Sequence, residues 1–140
     1  MRATYARHVD IDDVARIVAT FPEVEEGERR GNLAWSVAGK VFAWERPYTK
    51  ADIKRFGDQP YPAEPLVGVR TAGLAEKEAL LATSSPAVFT IEHFHGYAAM
   101  LVDLTNVTEQ ELTEVLADGW LAMAPPRLVA GFPGVDADRG

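Results

Sequence analysis

The chain has 140 residues, of which 47% are hydrophobic and 25% charged, the size and composition of a single globular domain. It contains no cysteine, which excludes disulfides, thiol nucleophiles and thiolate zinc sites, and no apolar run approaches the roughly 20 residues of a membrane-spanning helix. The formal net charge of −7 works against non-specific binding along a phosphate backbone.

The opening MRATYARHVD has charge but no apolar stretch, so no export signal, a cytoplasmic location and no membrane partner are expected. The first helix is marked by Asp10 as N-cap, by Asp12 and Asp13 in the first turn, and by Val14, Ile17, Val18 and Phe21 along one face. Val9 and Val14 stand at hydrophobic-staple spacing across that cap. EVEEGERRG reads as an acidic connection. NLAWSVAGKVFAWERP then alternates Leu33, Trp35 and Val37, turns at Gly39-Lys40 and continues to Glu45 as a hairpin.

Residues 46–65 hold four prolines and both signs of charge, with a single helical turn capped by Thr49 as the one element the pattern allows. LVGVR (66–70) reads as a strand and LAEKEALLA (74–82) as a helix. AVFTI and AAMLVDL read as strands on either side of HFHGY. A last helix starts at Thr108, with Glu111 completing a capping box, and runs through Leu112, Val115, Leu116, Trp120 and Met123 to Pro125-Pro126. The expected fold class is α+β with three helices and an antiparallel sheet, in the order α-β-β-β-α-β-β-α. One domain over residues 1–130 and a flexible tail at 131–140 are expected.

Charge is uneven. Residues 29–70 hold eight basic and four acidic side chains and carry +4, leaving −11 on the remainder. Six aromatics are interleaved there: Trp35, Phe42, Trp44, Tyr48, Phe56 and Tyr61. Cations with rings are what a nucleic-acid surface uses, and Lys40, Arg46, Lys50, Lys54 and Arg55 are the cations expected to be free for a partner. If HFHGY continues a strand, His93 and His95 share a face. Two ligands begin a metal site but a stable one needs a third, and the sequence offers only His8 and distant carboxylates, so no metal is assigned. Ser36, Ser84 and Ser85 lie in no nucleophile elbow and no strand is followed by a phosphate loop, so no catalytic residue and no cofactor are assigned.

NLAWSVAGKVFAW, LVGVR, EKEALLA, PAVFTIEHFHGYAAMLVDL and DGWLAMAPPRLV, taken together and in order, resemble the MmcQ/YjbR family of small bacterial proteins over about residues 10–130. The resemblance implies a YjbR-like, secretion-chaperone-like α+β fold with a "double wing" of hairpins, and DNA binding. His93, Phe94, Gly96 and Tyr97 match the family's His-Phe-Asp-Gly-Tyr-Pro, whereas His95 and Ala98 depart from it, which weakens a paired-histidine site. Pro126 stands where a basic residue is usual, leaving Arg127 alone. On this reading the chain is a non-enzymatic module contacting DNA through Lys40, Arg46, Lys50, Lys54, Arg55 and Arg70. The alternative is a small-molecule or protein-partner module in which Trp35, Trp44, His93 and Tyr97 line a cleft. An enzyme using His93 as general base is a third reading without a supporting constellation.

Overall fold

Helix α1 (Ile11–Val18) begins where its cap residues place it. Asp13 N–H donates to Asp10 Oδ1 at 3.1 Å and Asp10 N–H to Asp13 Oδ2 at 2.9 Å, a reciprocal capping box. The computed structural model describes residues 9–130 and 132. After α1 come three strands, β1 (Val24–Arg29), β2 (Asn32–Val37) and β3 (Lys40–Glu45), then α2 (Lys50–Phe56), β4 (Leu66–Arg70) and α3 (Leu74–Thr83). The short β5 (Val88–Phe89), a 3₁₀ turn at Glu92–Phe94, β6 (Ala99–Asp103), α4 (Glu109–Met123) and α5 (Pro126–Val129) complete the order. One antiparallel sheet runs β1-β2-β3-β4-β6-β5, so the α+β class and the antiparallel sheet are as expected.

Several local expectations are corrected. The acidic connection is strand β1, paired along its whole length with β2. As an edge strand exposed at five of its six positions, it has no apolar alternation to betray it. The β2–β3 turn falls at Ala38-Gly39, one residue earlier than expected. It and the β1–β2 turn at Arg30-Gly31 have positive φ at both central residues (51° and 81°, 54° and 82°), the type I′ pattern whose twist suits hairpins. The AVFTI strand shrinks to Val88–Phe89, the helical turn after Thr49 extends to seven residues, and α5 is additional. The helices therefore number five among the described residues, against three expected. Thr108 caps α4 by accepting from Glu111 N–H, but the Glu111 carboxylate does not return to the cap. It takes Ser85 N–H at 2.9 Å and Ser85 Oγ–H at 2.6 Å instead, tying α4 to the approach to β5.

The sheet separates two apolar clusters. On one face, α1 and α4 pack over Trp35, Val37, Phe42, Val67, Val69, Met100 and Val102. A register shift skips Phe42, so that Phe42 and Ala43 both reach this cluster. Trp120 of α4 donates its indole N–H to the Pro22 carbonyl at 3.0 Å and stacks on Phe132 at 4.3 Å. Phe132 is buried there; residue 131 and residues 133–140 of the expected tail lie outside the described residues. Among the described residues no helix is long and apolar enough to cross a membrane.

Gly119 sets how close α4 comes to the sheet. A Cβ at this position would lie 2.5 Å from Val69 Cγ1 and 3.2 Å from the Phe42 carbonyl oxygen. Alanine is favoured over glycine in a helix by about 1 kcal/mol, but overpacking a core costs about 1–3 kcal/mol, and the Phe42 oxygen is backbone that moves only with its strand. Gly119→Ala is expected to lower stability by about 1 kcal/mol, seen as a lower urea midpoint at unchanged slope. A raised midpoint would mean that helix propensity outweighs the contact.

Candidate functional site

The second face is where the sheet is left open. Strand pairing aligns Gly27, Ala34, Trp44, Gly68, Leu101 and Phe89 across all six strands. At the β4–β6–β5 end this face is covered by a smaller cluster of Leu66, Ile91, Phe94, Ala99 and Leu101. Over β1 it is uncovered, with Glu25, Gly27 and Arg29 exposed, whereas Ala34 of β2 is buried. Trp44 stands at the boundary. Its six-membered ring lies over Gly68, 2.7 Å from where a Cβ would be, so any side chain at Gly68 would displace the indole. Phe94 and Tyr97 flank it, with ring centroids 6.2 Å and 6.4 Å away, and meet each other edge-on at 5.4 Å. The Arg46 guanidinium lies 5.4 Å from the Phe94 ring centre and that of Arg70 5.3 Å from the Tyr97 centre, both within cation–π range.

These rings border an open groove of about 1210 Å³ along β2 and β3. Five cations line it: Arg29, Arg30, Lys40, Arg46 and Arg70. Glu45 is its one lining carboxylate among the described residues, and its Oε1 accepts from Leu33 N–H at 3.1 Å. The type I′ turns deliver Arg30 to one end of the hairpin pair and Lys40 to the other. The arrangement can hold an anionic, partly aromatic ligand by charge and stacking.

The sequence-derived candidates divide. Lys40, Arg46 and Arg70 reach the groove, whereas Lys50, Lys54 and Arg55 sit on α2 and do not line it. Arg46 is committed internally. Its Nη1 meets Asp52 Oδ2 at 2.9 Å, where the Asp52 side chain is 1% exposed and that of Arg46 13%. Asp52 also closes the α2 capping box with Thr49, and Arg55 approaches its other oxygen at 3.5 Å. Burial raises the Asp52 carboxyl pKa, but the Thr49 N–H and the Arg46 guanidinium outweigh it and hold the group below its ordinary value. The loop from 46 to 65 is further ordered by Tyr48, Phe56 and Tyr61, which pack ring on ring, and by the Tyr48 hydroxyl donating to the Pro62 carbonyl at 2.7 Å. Burial pushes that hydroxyl up to about 12.

Of the cleft residues, Trp44, His93 and Tyr97 converge on the groove, but Trp35 does not. It is 1% exposed on the opposite face, with its indole N–H bonded to Glu26 Oε1 at 2.9 Å. Period-two alternation puts it one residue out of phase with Ala34, whose partner is Trp44. The histidines do not share a strand face either. His93 lies within the 3₁₀ turn and His95 just beyond it, both exposed, while Phe94 between them is buried. Among the described residues no three histidines or carboxylates gather as metal ligands, and His8 lies outside the described residues. Arg29 and Arg30 were hidden by the acidic surroundings of β1. Phe94, which matches the family motif but belongs to neither set of site candidates, fills the centre of the ring cluster.

A second cavity, about 930 Å³, lies behind the turn between α2 and α3, and His93 lines both cavities. Lys77 of α3 is buried there. Its Nζ donates to the Phe94 carbonyl at 2.7 Å and the Tyr97 carbonyl at 2.8 Å, and burial lowers its pKa. The signal for it was a lysine on the same helical stripe as Leu80 and Leu81, where a hydrophobe belongs.

These features define a small α+β domain built on one antiparallel sheet, with α1 and α4 over one face and a basic, aromatic-floored groove on the other. The YjbR family model matches residues 19–122, from the end of α1 through the sheet to α4, and the chain belongs to that family. Relatives include uncharacterized proteins of Mycobacterium bovis and of two Mycobacterium tuberculosis strains, each 40% identical over 124 residues, covering 86% of this chain and 93% of theirs. No solved structure matches.

Proposed function

We propose that this YjbR-family protein is a non-catalytic nucleic-acid-binding module of the cytoplasm that takes an extended single strand along the open sheet face. The observation that carries this reading is the groove's composition: five cations, of which Arg46 is already paired with Asp52, against one lining carboxylate, around a half-buried Trp44 and a Tyr97 that is 40% exposed. Rings accept bases of any sequence by stacking, and a cationic groove follows the phosphates. The two type I′ hairpins serve as the wings, with Arg30 and Lys40 at their ends. The net charge of −7 is compatible with this because the field that matters is local to the groove. The convergence of Trp44, His93 and Tyr97 supports a second reading, a small anionic aromatic ligand in the same place.

Fluorescence anisotropy with labelled single-stranded and duplex DNA, from about 50 to 200 mM salt, tests the first reading. Saturable binding that weakens with salt, tighter for the single strand, is expected. Tryptophan emission should change with it, reporting Trp44 because Trp35 and Trp120 are buried on the other face. Absence of binding at the lowest salt would reject the nucleic-acid reading, and a salt-independent rise in melting temperature with a mononucleotide would favour the second.

A further inference from the structure

We infer that Lys77 is the positioning residue for the aromatic wall of the groove, an inference that rests on the binding reading above. The turn carrying Phe94 and Tyr97 is closed locally by Phe94 N–H to Ile91, His95 N–H to Glu92 and Tyr97 N–H to Phe94. Its glycine, Gly96, has φ +77°, a conformation that favours glycine. Among the described residues, the only hydrogen bonds reaching the backbone of residues 92–97 from elsewhere in the chain are the two from Lys77. Both acceptors are already engaged once by backbone N–H groups, from Tyr97 to the Phe94 oxygen and from Ala99 to the Tyr97 oxygen. Lys77 therefore occupies the second acceptor position of each. Just beyond it the Ala98 carbonyl accepts from Thr71 N–H at 2.9 Å and Arg70 Nε at 3.3 Å, and the remaining anchors of the turn are side-chain contacts: buried Phe94, the two guanidinium–ring contacts, and Arg55 to Glu92 at 3.5 Å.

The two carbonyls that Lys77 holds belong to the two residues whose rings flank Trp44. Lys77 approaches them from the second cavity and does not line the groove, so it acts on a groove ligand only through Phe94 and Tyr97. A buried lysine ammonium without an ion-pair partner among the described residues is costly to retain unless its donors are used, and here they are used to fix this turn.

The test compares Lys77→Met, which keeps the length and removes the donors, with Lys77→Arg, which retains them. Backbone hydrogen exchange at residues 92–98 and anisotropy with a labelled oligothymidylate are measured on each. For Lys77→Met, exchange should accelerate at 92–98 and not in β2 or β3, and affinity should fall about tenfold, the equivalent of one charge-assisted hydrogen bond. Lys77→Arg should recover part of both. Unchanged exchange in Lys77→Met overturns the inference, and faster exchange with unchanged affinity reduces Lys77 to a purely structural residue, which also overturns it. If the wild type binds no oligonucleotide, the binding reading fails. The positioning of the wall is then decided by exchange together with the Trp44 emission, which should shift in Lys77→Met when its flanking rings move. Should the methionine variant fail to fold, Lys77→Gln is read by the same measurements.

Discussion

Replacing Arg29 and Lys40 by glutamine and Arg30 by asparagine should reduce the slope of log affinity against log salt by about 2, because each lost phosphate contact on a single strand removes about 0.7. Asparagine is chosen at Arg30 because that residue has φ 54°, which asparagine tolerates better than other side chains. All three cations are exposed and line the groove, and among the described residues their side chains make no hydrogen bond or ion pair, so the melting temperature should hold while affinity falls. Lys50→Gln with Lys54→Gln is the companion measurement. These two lysines carry as much charge per residue, but on α2, outside the groove. Equal losses per charge removed would mean that net charge alone governs binding, and a larger loss per charge from the α2 pair would move the contact surface to the helix.

Asp52→Ala should be the most destabilising of the substitutions considered. It removes a side chain that is 1% exposed, leaves Arg46 without its carboxylate, and opens the α2 capping box. Breaking a buried pair from one side costs about 3–5 kcal/mol because the remaining charge stays desolvated, a large share of the roughly 5–15 kcal/mol that holds a domain together. The pH dependence has a definite sign. The folded carboxyl lies below its ordinary value, so its contribution is complete above that value, near ~4, and is lost as pH falls through the depressed folded value. Urea denaturation of wild type and variant should therefore show a gap at pH 7 that narrows on acidification below pH ~4. A gap that stays constant into strong acid would show that the loss comes from packing and not from the charge.

The legible parts of the fold were those with local, repeating chemistry. Asp10, Thr49 and Thr108 announced their helices because a cap satisfies N–H groups two or three residues away, and LVGVR announced a strand because both faces of β4 are buried. Strand β1 was illegible for the opposite reason: its stability comes from backbone pairing with β2, and its side chains face solvent. The histidine pair was misplaced because an apolar run looks the same whether it ends in a strand or in a 3₁₀ turn.

For the site, the sequence by itself determined the ingredients: a block of basic residues interleaved with rings, and the family resemblance that the match over residues 19–122 establishes. Tertiary structure alone decided which of them meet. Pairing register put Trp44 beside Ala34 and Gly68 and turned Trp35 to the other face. A buried carboxylate took Arg46 out of the free cations, and two carbonyls from a turn 17 and 20 residues away fixed Lys77. Those outcomes depend on burial and on partners distant in the chain, and a single sequence carries no local record of either.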